Sequence, residues 1–223
     1  MGKKFWQKGE ETSKTGSSKE VSDTSKSNNK AYDKWLDDKS DLMEVALGQQ
    51  HEDVLYPIIG GGIGGPLDGH YYPNGIDGVG LATKQLTNLD GTGASNDIYD
   101  AYEFVVFTRE NIIGSALSDD PEDTHFKMRS LLTSLAPHAL ETTLNPYETI
   151  GFPDEWEEMA GRCIIMDAYK PECFSPKFGL MLLMEIFPSE LEFKTQRGGD
   201  MLIAILKDEG HYPYSDLNRK PVA

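Results

Sequence analysis

Cysteine is nearly absent from this sequence: Cys163 and Cys173 are the only two in 223 residues. Two thiols in or beside apolar runs make no disulfide framework, and without Cys or His at ligand spacing they make no zinc site. A reducing compartment, the cytoplasm, is what this usage implies. Long hydrophobic runs are missing as well. No stretch reaches eighteen apolar residues, and the N-terminus has no apolar core between its charges and a cleavage site. Met1-Gly-Lys-Lys-Phe-Trp carries the glycine that N-myristoylation uses, but Trp6 stands where Ser or Thr is expected. No membrane partner is expected.

Positive charge is scarce. Lys and Arg number 21 against 37 Asp and Glu, a net charge of −16. The imbalance is uneven, because residues 1–30 hold seven Lys against four carboxylates and so leave about −19 to the remainder. An acidic body repels phosphate backbones, which argues against nucleic acid and leaves a basic partner or plain solubility as readings. Residues 1–30 also have nothing apolar between Trp6 and Val21. Such a stretch buries too little surface to offset chain entropy, so a disordered Lys/Ser-rich tail is expected there, followed by a single domain over 31–223.

Catalytic signatures are absent too: there is no G-x-S-x-G elbow, H-E-x-x-H helix or Cys-x-x-Cys pair. Gly60, Gly62 and Gly65 satisfy G-x-G-x-x-G, yet Pro66, Gly69, Pro73 and Gly75 follow where a phosphate-binding helix would start. A connection or hairpin between two strands suits that loop better. Asp119, Asp120, Glu122 and Asp123 lack the ligand spacing and central glycine of a calcium loop and read as helix-start chemistry. His211, Asp216 and Arg219 form the one compact mixture of titratable types. It is open to an acid–base role, or to Asp216 and Arg219 pairing with each other or fixing the chain end. The expectation is no enzyme, no cofactor and no metal.

What is present is a series of apolar elements. Residues 31–48 carry Trp35, Leu36, Leu42, Met43, Val45 and Leu47 and end at Gly48, the pattern of a capped helix. Residues 80–87 and 102–109 read as strands, the second β-branched and aromatic. A helix with Phe126, Met128, Leu131, Leu132 and Leu135 is expected to stop at Pro137. Residues 162–169 and 178–187 read as apolar strands joined by eight residues, hence antiparallel neighbours, the second buried on both faces near the sheet centre. Pro188 ends that strand, and Ser189 is expected to cap a short acidic helix. Gly198-Gly199 breaks it before a helix with Met201, Leu202, Ile205 and Leu206 on one face.

The order of strand, acidic helix, Gly198-Gly199 break, Leu-rich helix and closing Tyr214-Ser-Asp-Leu-Asn-Arg219 resembles the C-terminal part of the suppressor-of-fused (SUFU) domain family, particularly bacterial SUFU-like proteins. The family's usual Asn-Gly is Gly-Gly here. Residues 80–87 followed by Glu103–Phe107 are similar to an earlier strand pair of that family. The resemblance implies an α+β fold, a mixed, mainly antiparallel sheet flanked by helices, and a non-catalytic protein-interaction domain. Many bacterial relatives look like immunity proteins of polymorphic toxin systems, so a basic toxin domain is the implied partner. The candidate anchors are Trp156, Tyr212 and Tyr214, chosen from polar, Pro-flanked stretches rather than core runs, and Asp216 and Arg219 join them as candidate partner-binding residues. The alternative reading is a small-ligand binder or enzyme using the Gly60–Gly65 loop and the His211–Arg219 segment.

Overall fold

In the computed structural model, residues 20–59, 67–114, 120, 122–155 and 160–223 are described. Among them, seven strands form one sheet: β1 (Val54–Ile59), β2 (Leu67–Tyr72), β3 (Val79–Thr83), β4 (Tyr102–Thr108), β5 (Thr149–Gly151), β6 (Cys163–Ala168) and β7 (Gly179–Ile186). Their order is β1-β2-β3-β4-β7-β6-β5. Only β4 and β7 run parallel, and the other five neighbouring pairs are antiparallel. Four helices flank the sheet: α1 (Glu20–Leu47), α2 (Thr124–Glu141), α3 (Pro188–Arg197) and α4 (Gly199–Asp208). The expected α+β class and mixed sheet are both found, with β6 and β7 antiparallel neighbours as anticipated.

Both sheet faces are covered, which is why β4 and β7 are buried along their whole length and apolar apart from Glu103, Thr108 and Glu185. One core joins Tyr102, Phe104, Val106, Met181 and Leu183 to Met128, Leu131, Leu132 and Leu135 of α2. The other joins Val105, Phe107, Leu180, Leu182 and Met184 to Met43 and Leu47 of α1 and to Leu202, Ile203 and Leu206 of α4. Successive β4 residues thus feed opposite layers. On α4 the buried face is Leu202, Ile203 and Leu206, whereas Met201, expected to face inward, is exposed.

Several boundaries differ from the sequence reading. α1 begins at Glu20, ahead of the start at residue 31 that its apolar pattern marks, so residues 20–30 of the expected disordered tail are helical, while residues 1–19 lie outside the described residues. Gly48 does close it: its φ of 79° is left-handed, its N–H donates to the Glu44 carbonyl, and a Cβ there would meet the Asn74 backbone at 2.8 Å. α2 passes through Pro137 to Glu141, because buried Leu135, Ala136 and Ala139 keep the turn packed despite the missing N–H. Its N-cap is Asp123, whose carboxylate accepts from the Phe126 N–H at 3.0 Å, so one member of the acidic cluster does serve the helix start. α3 starts at Pro188, not at a Ser189 cap. Glu190 in its first turn reaches back and accepts from the Phe187 N–H at 2.9 Å.

β3 stops at Thr83 instead of continuing to residue 87, because the next residues turn onto a buried carboxylate. Glu103 of β4 is fully buried. It accepts from the Thr83 hydroxyl at 2.7 Å, the Leu86 N–H at 3.0 Å, and the Thr87 hydroxyl and N–H at 3.1 and 3.3 Å. Its counter-ion is Lys39 of α1, at 2.7 Å and 3 % exposed, which also donates to the Lys84 carbonyl and lies 3.6 Å over the Trp35 ring. Burial pulls the Lys39 ammonium below its ordinary pKa, against the upward pull of Glu103. Removing one member of a buried pair leaves an uncompensated charge. Lys39→Met is expected to cost about 3–5 kcal/mol of unfolding free energy, and an unchanged urea midpoint would contradict this role.

His70 of β2 lies near Lys84, and both of its ring nitrogens are buried without a hydrogen-bond partner. Burial first, and Lys84 second, pull its pKa down to about 3. Folding therefore requires neutral His70. Its contribution to stability is intact above the unfolded-state pKa and is lost as pH falls from about 6.5 toward 3. Between pH 7.5 and 5 the protein should lose about 2 kcal/mol more stability than His70→Leu does, measured by denaturant titration at each pH.

Candidate functional site

The parallel pair at the middle of the sheet is zipped only in part. Tyr102–Val105 of β4 are in register with Gly179–Leu182 of β7, and beyond these residues the two strands separate. β4 nevertheless stays paired to β3 as far as Thr108, and β7 to β6 as far as Ile186. The sheet is thus divided at the carboxyl ends of its central strands. The C-terminal segment enters the gap: Tyr214 bridges Phe107 in parallel, and the Ser215 N–H donates to the Phe107 carbonyl at 2.9 Å. From the other side, the Glu185 N–H donates to Ser215 Oγ at 3.0 Å, and that hydroxyl donates to Glu185 Oε2 at 3.3 Å.

Beside this wedge lies a cavity of about 700 Å³, within the range of small-molecule and peptide pockets. Its lining comes from the ends of β4 and β7, the start of α2 and the C-terminal segment. Arg162, just ahead of β6, pairs with Glu185 at 2.5 Å, and both side chains are nearly buried. Lys127 of α2 pairs with Glu122 at 2.9 Å. Arg109 lies 3.7 Å over the Tyr214 ring and donates to the Gly210 carbonyl at 2.7 Å. Glu110 and Asp216 complete the charged lining, so four carboxylates face three cations.

The residues singled out from sequence have diverging fates. Trp156 and the Gly60–Gly65 loop lie outside the described residues, though the flanks of that loop, β1 and β2, are antiparallel neighbours. Tyr214 is buried, and its hydroxyl donates to the Asp77 carbonyl at 2.8 Å. Tyr212 is half-buried beneath Lys207, 4.3 Å from its Nζ, and hydrogen-bonds Asp167. Burial first, then that carboxylate, push the Tyr212 phenol far above its ordinary pKa. Arg219 turns away from Asp216 and meets Glu190 through both terminal nitrogens, at 2.5 and 2.8 Å. Asp216 instead accepts from the Asn218 N–H at 2.8 Å and lines the cavity. Asp216 and Arg219 therefore do not pair with each other, and the chain-end tie is the reading of this segment that forms.

That tie is well built. Glu190 is fully buried and also accepts from the Val222 N–H at 2.9 Å. Burial raises its pKa, but the Arg219 guanidinium and the Val222 and Phe187 N–H groups outweigh this and hold the carboxyl below its ordinary value. The cavity residues Arg162, Glu185 and Ser215 were not singled out from the sequence. The available signals were a glutamate inside the apolar run of β7 and an arginine at the head of an apolar strand. Among the described residues, no group of three or more His, Cys, Asp or Glu side chains is placed to hold a metal ion, and no helix is long and apolar enough to cross a membrane. Arg219→Met should leave Glu190 as a bare buried charge, cost about 3–5 kcal/mol, and expose residues 211–223 to carboxypeptidase. Adding Glu190→Gln should recover part of that loss in thermal unfolding.

No family model matches the chain, and no curated protein matches it in sequence. Among solved structures, the chain is similar to one described as the Sufu-Fu complex crystal structure, with a TM-score of 0.51 and 11% identity. The match covers 79% of this chain and 84% of that one. At this identity the likeness concerns the fold: the sheet and helices described above are a SUFU-like arrangement.

Proposed function

We propose that this chain is a non-catalytic protein-binding domain of the suppressor-of-fused type, and that it acts as an immunity-type protein that binds and neutralises a basic toxin partner in the cytoplasm. The observation that carries this reading is the shared fold with a chain solved in complex with another protein, combined with a net charge of −16. A surplus of carboxylates steers a basic protein into contact and disfavours nucleic acid. The domain comprises residues 31–223 and takes in the start of α1 from Glu20, with the Lys-rich residues 1–19 preceding it as a basic tail. Contact centres on the polar C-terminal segment, where Asp216 borders the cavity and Tyr212 and Tyr214 stiffen the wall behind it. Arg219 serves indirectly, by holding that segment in place through Glu190.

Affinity capture from the native host tests the proposal. A protein of basic composition should be retained at about 0.1 M salt and its affinity should fall at least tenfold by about 0.5 M, since screening shortens the reach of charge interactions. Retention of no protein at the lower salt would remove the support for an immunity role.

A further inference from the structure

The gap between β4 and β7 has a chemistry of its own. Its backbone is only lightly used, because a single residue pair, Phe107 with Tyr214, bridges where several ladder bonds would form had the strands stayed together. Its charges are unequally committed. The Arg162 and Lys127 cations are neutralised by Glu185 and Glu122, and Arg109 is folded onto the Tyr214 ring and the Gly210 carbonyl. Glu110 and Asp216 are left with no ion pair among the described residues. Glu110 is exposed and Asp216 half-buried, both at the cavity wall.

We infer that this crevice is the docking site for an extended, Arg- or Lys-bearing segment of a partner protein, whose cations sit against Glu110 and Asp216. The inference rests on the basic-partner reading above and gives it a location. The unpaired carboxylates select for positive charge. The Arg162–Glu185–Ser215 network, with Glu185 buried and its two partners half-buried, holds the floor rigid, since each of its members is fixed by another. A floor fixed before binding loses little conformational freedom on contact. The volume of about 700 Å³ admits several side chains of such a segment. The C-terminal segment, latched by Arg219 to Glu190, forms one wall and stays in place.

The test uses the full-length ¹⁵N-labelled protein and a short synthetic peptide bearing two Arg and two Lys, with a counterpart in which Glu replaces them. Titration of the basic peptide should shift the amides of Thr108, Arg109, Glu185 and Ser215, and the acidic peptide should not. The double variant Glu110→Gln/Asp216→Asn should keep the dispersed spectrum and unfolding midpoint yet bind about tenfold more weakly, the loss carried by two partly exposed charge contacts. Shifts confined to other surfaces, or undiminished affinity in the double variant, would overturn the crevice assignment and leave the basic-partner reading standing. Shifts nowhere at millimolar peptide would overturn both.

Discussion

One buried carboxylate organises the first half of the molecule. Glu103 lies on a central strand with no exposed surface, where an ionised group is tolerated only if paired and hydrogen-bonded. The Thr83 hydroxyl at the end of β3, three donors from Leu86 and Thr87 just after it, and one ammonium from α1 meet it. These contacts end β3 at Thr83, fold residues 84–87 over the strand and fix α1 on the sheet. The Trp35 ring lies 3.6 Å from the Lys39 ammonium, and the pair itself is almost wholly buried. An apolar side chain at position 103 would fit the strand but would leave the Leu86 and Thr87 N–H groups without their acceptor.

A second buried carboxylate does the same for the other end of the chain. Glu190 begins α3 by accepting from the N–H of Phe187 and ends the chain's path by taking both arms of Arg219 and the N–H of Val222. The planar guanidinium suits a carboxylate through two parallel bonds, and the Phe187 ring lies against it at 4.9 Å. Held in this way, the segment before Arg219 is positioned to enter the sheet between β4 and β7. The two carboxylates thus divide the work. Glu103 builds the half-sheet that carries β4, while Glu190 directs the wedge that separates it from β7.

The separation is what gives the domain a usable surface. Parallel strands that remained zipped to their ends would present only paired backbone and apolar side chains. Because they part after Val105 and Leu182, polar residues from five places in the sequence meet at one cavity. A SUFU-like fold at 11% identity says nothing by itself about these residues. The location proposed for partner docking therefore rests on charge and geometry at this opening.

The sequence by itself determined the α+β class, the strands at residues 102–109, 162–169 and 178–187, the antiparallel pairing of the last two, the Gly48 stop and the Gly198-Gly199 break. These follow from apolar period, chain length and backbone freedom, all of which act over neighbouring residues. It determined neither the end of β3 nor the passage of α2 through Pro137, because distant packing overruled local preference in both. The short spacing of Asp216 and Arg219 suggested a pair or a tie, and only the folded chain brought Glu190 within reach of Arg219, 29 residues away in sequence. The cavity was invisible for the same reason. Arg162, Glu185 and Ser215 belong to separate stretches, and their meeting depends on where β4 and β7 part, a feature written in no single segment.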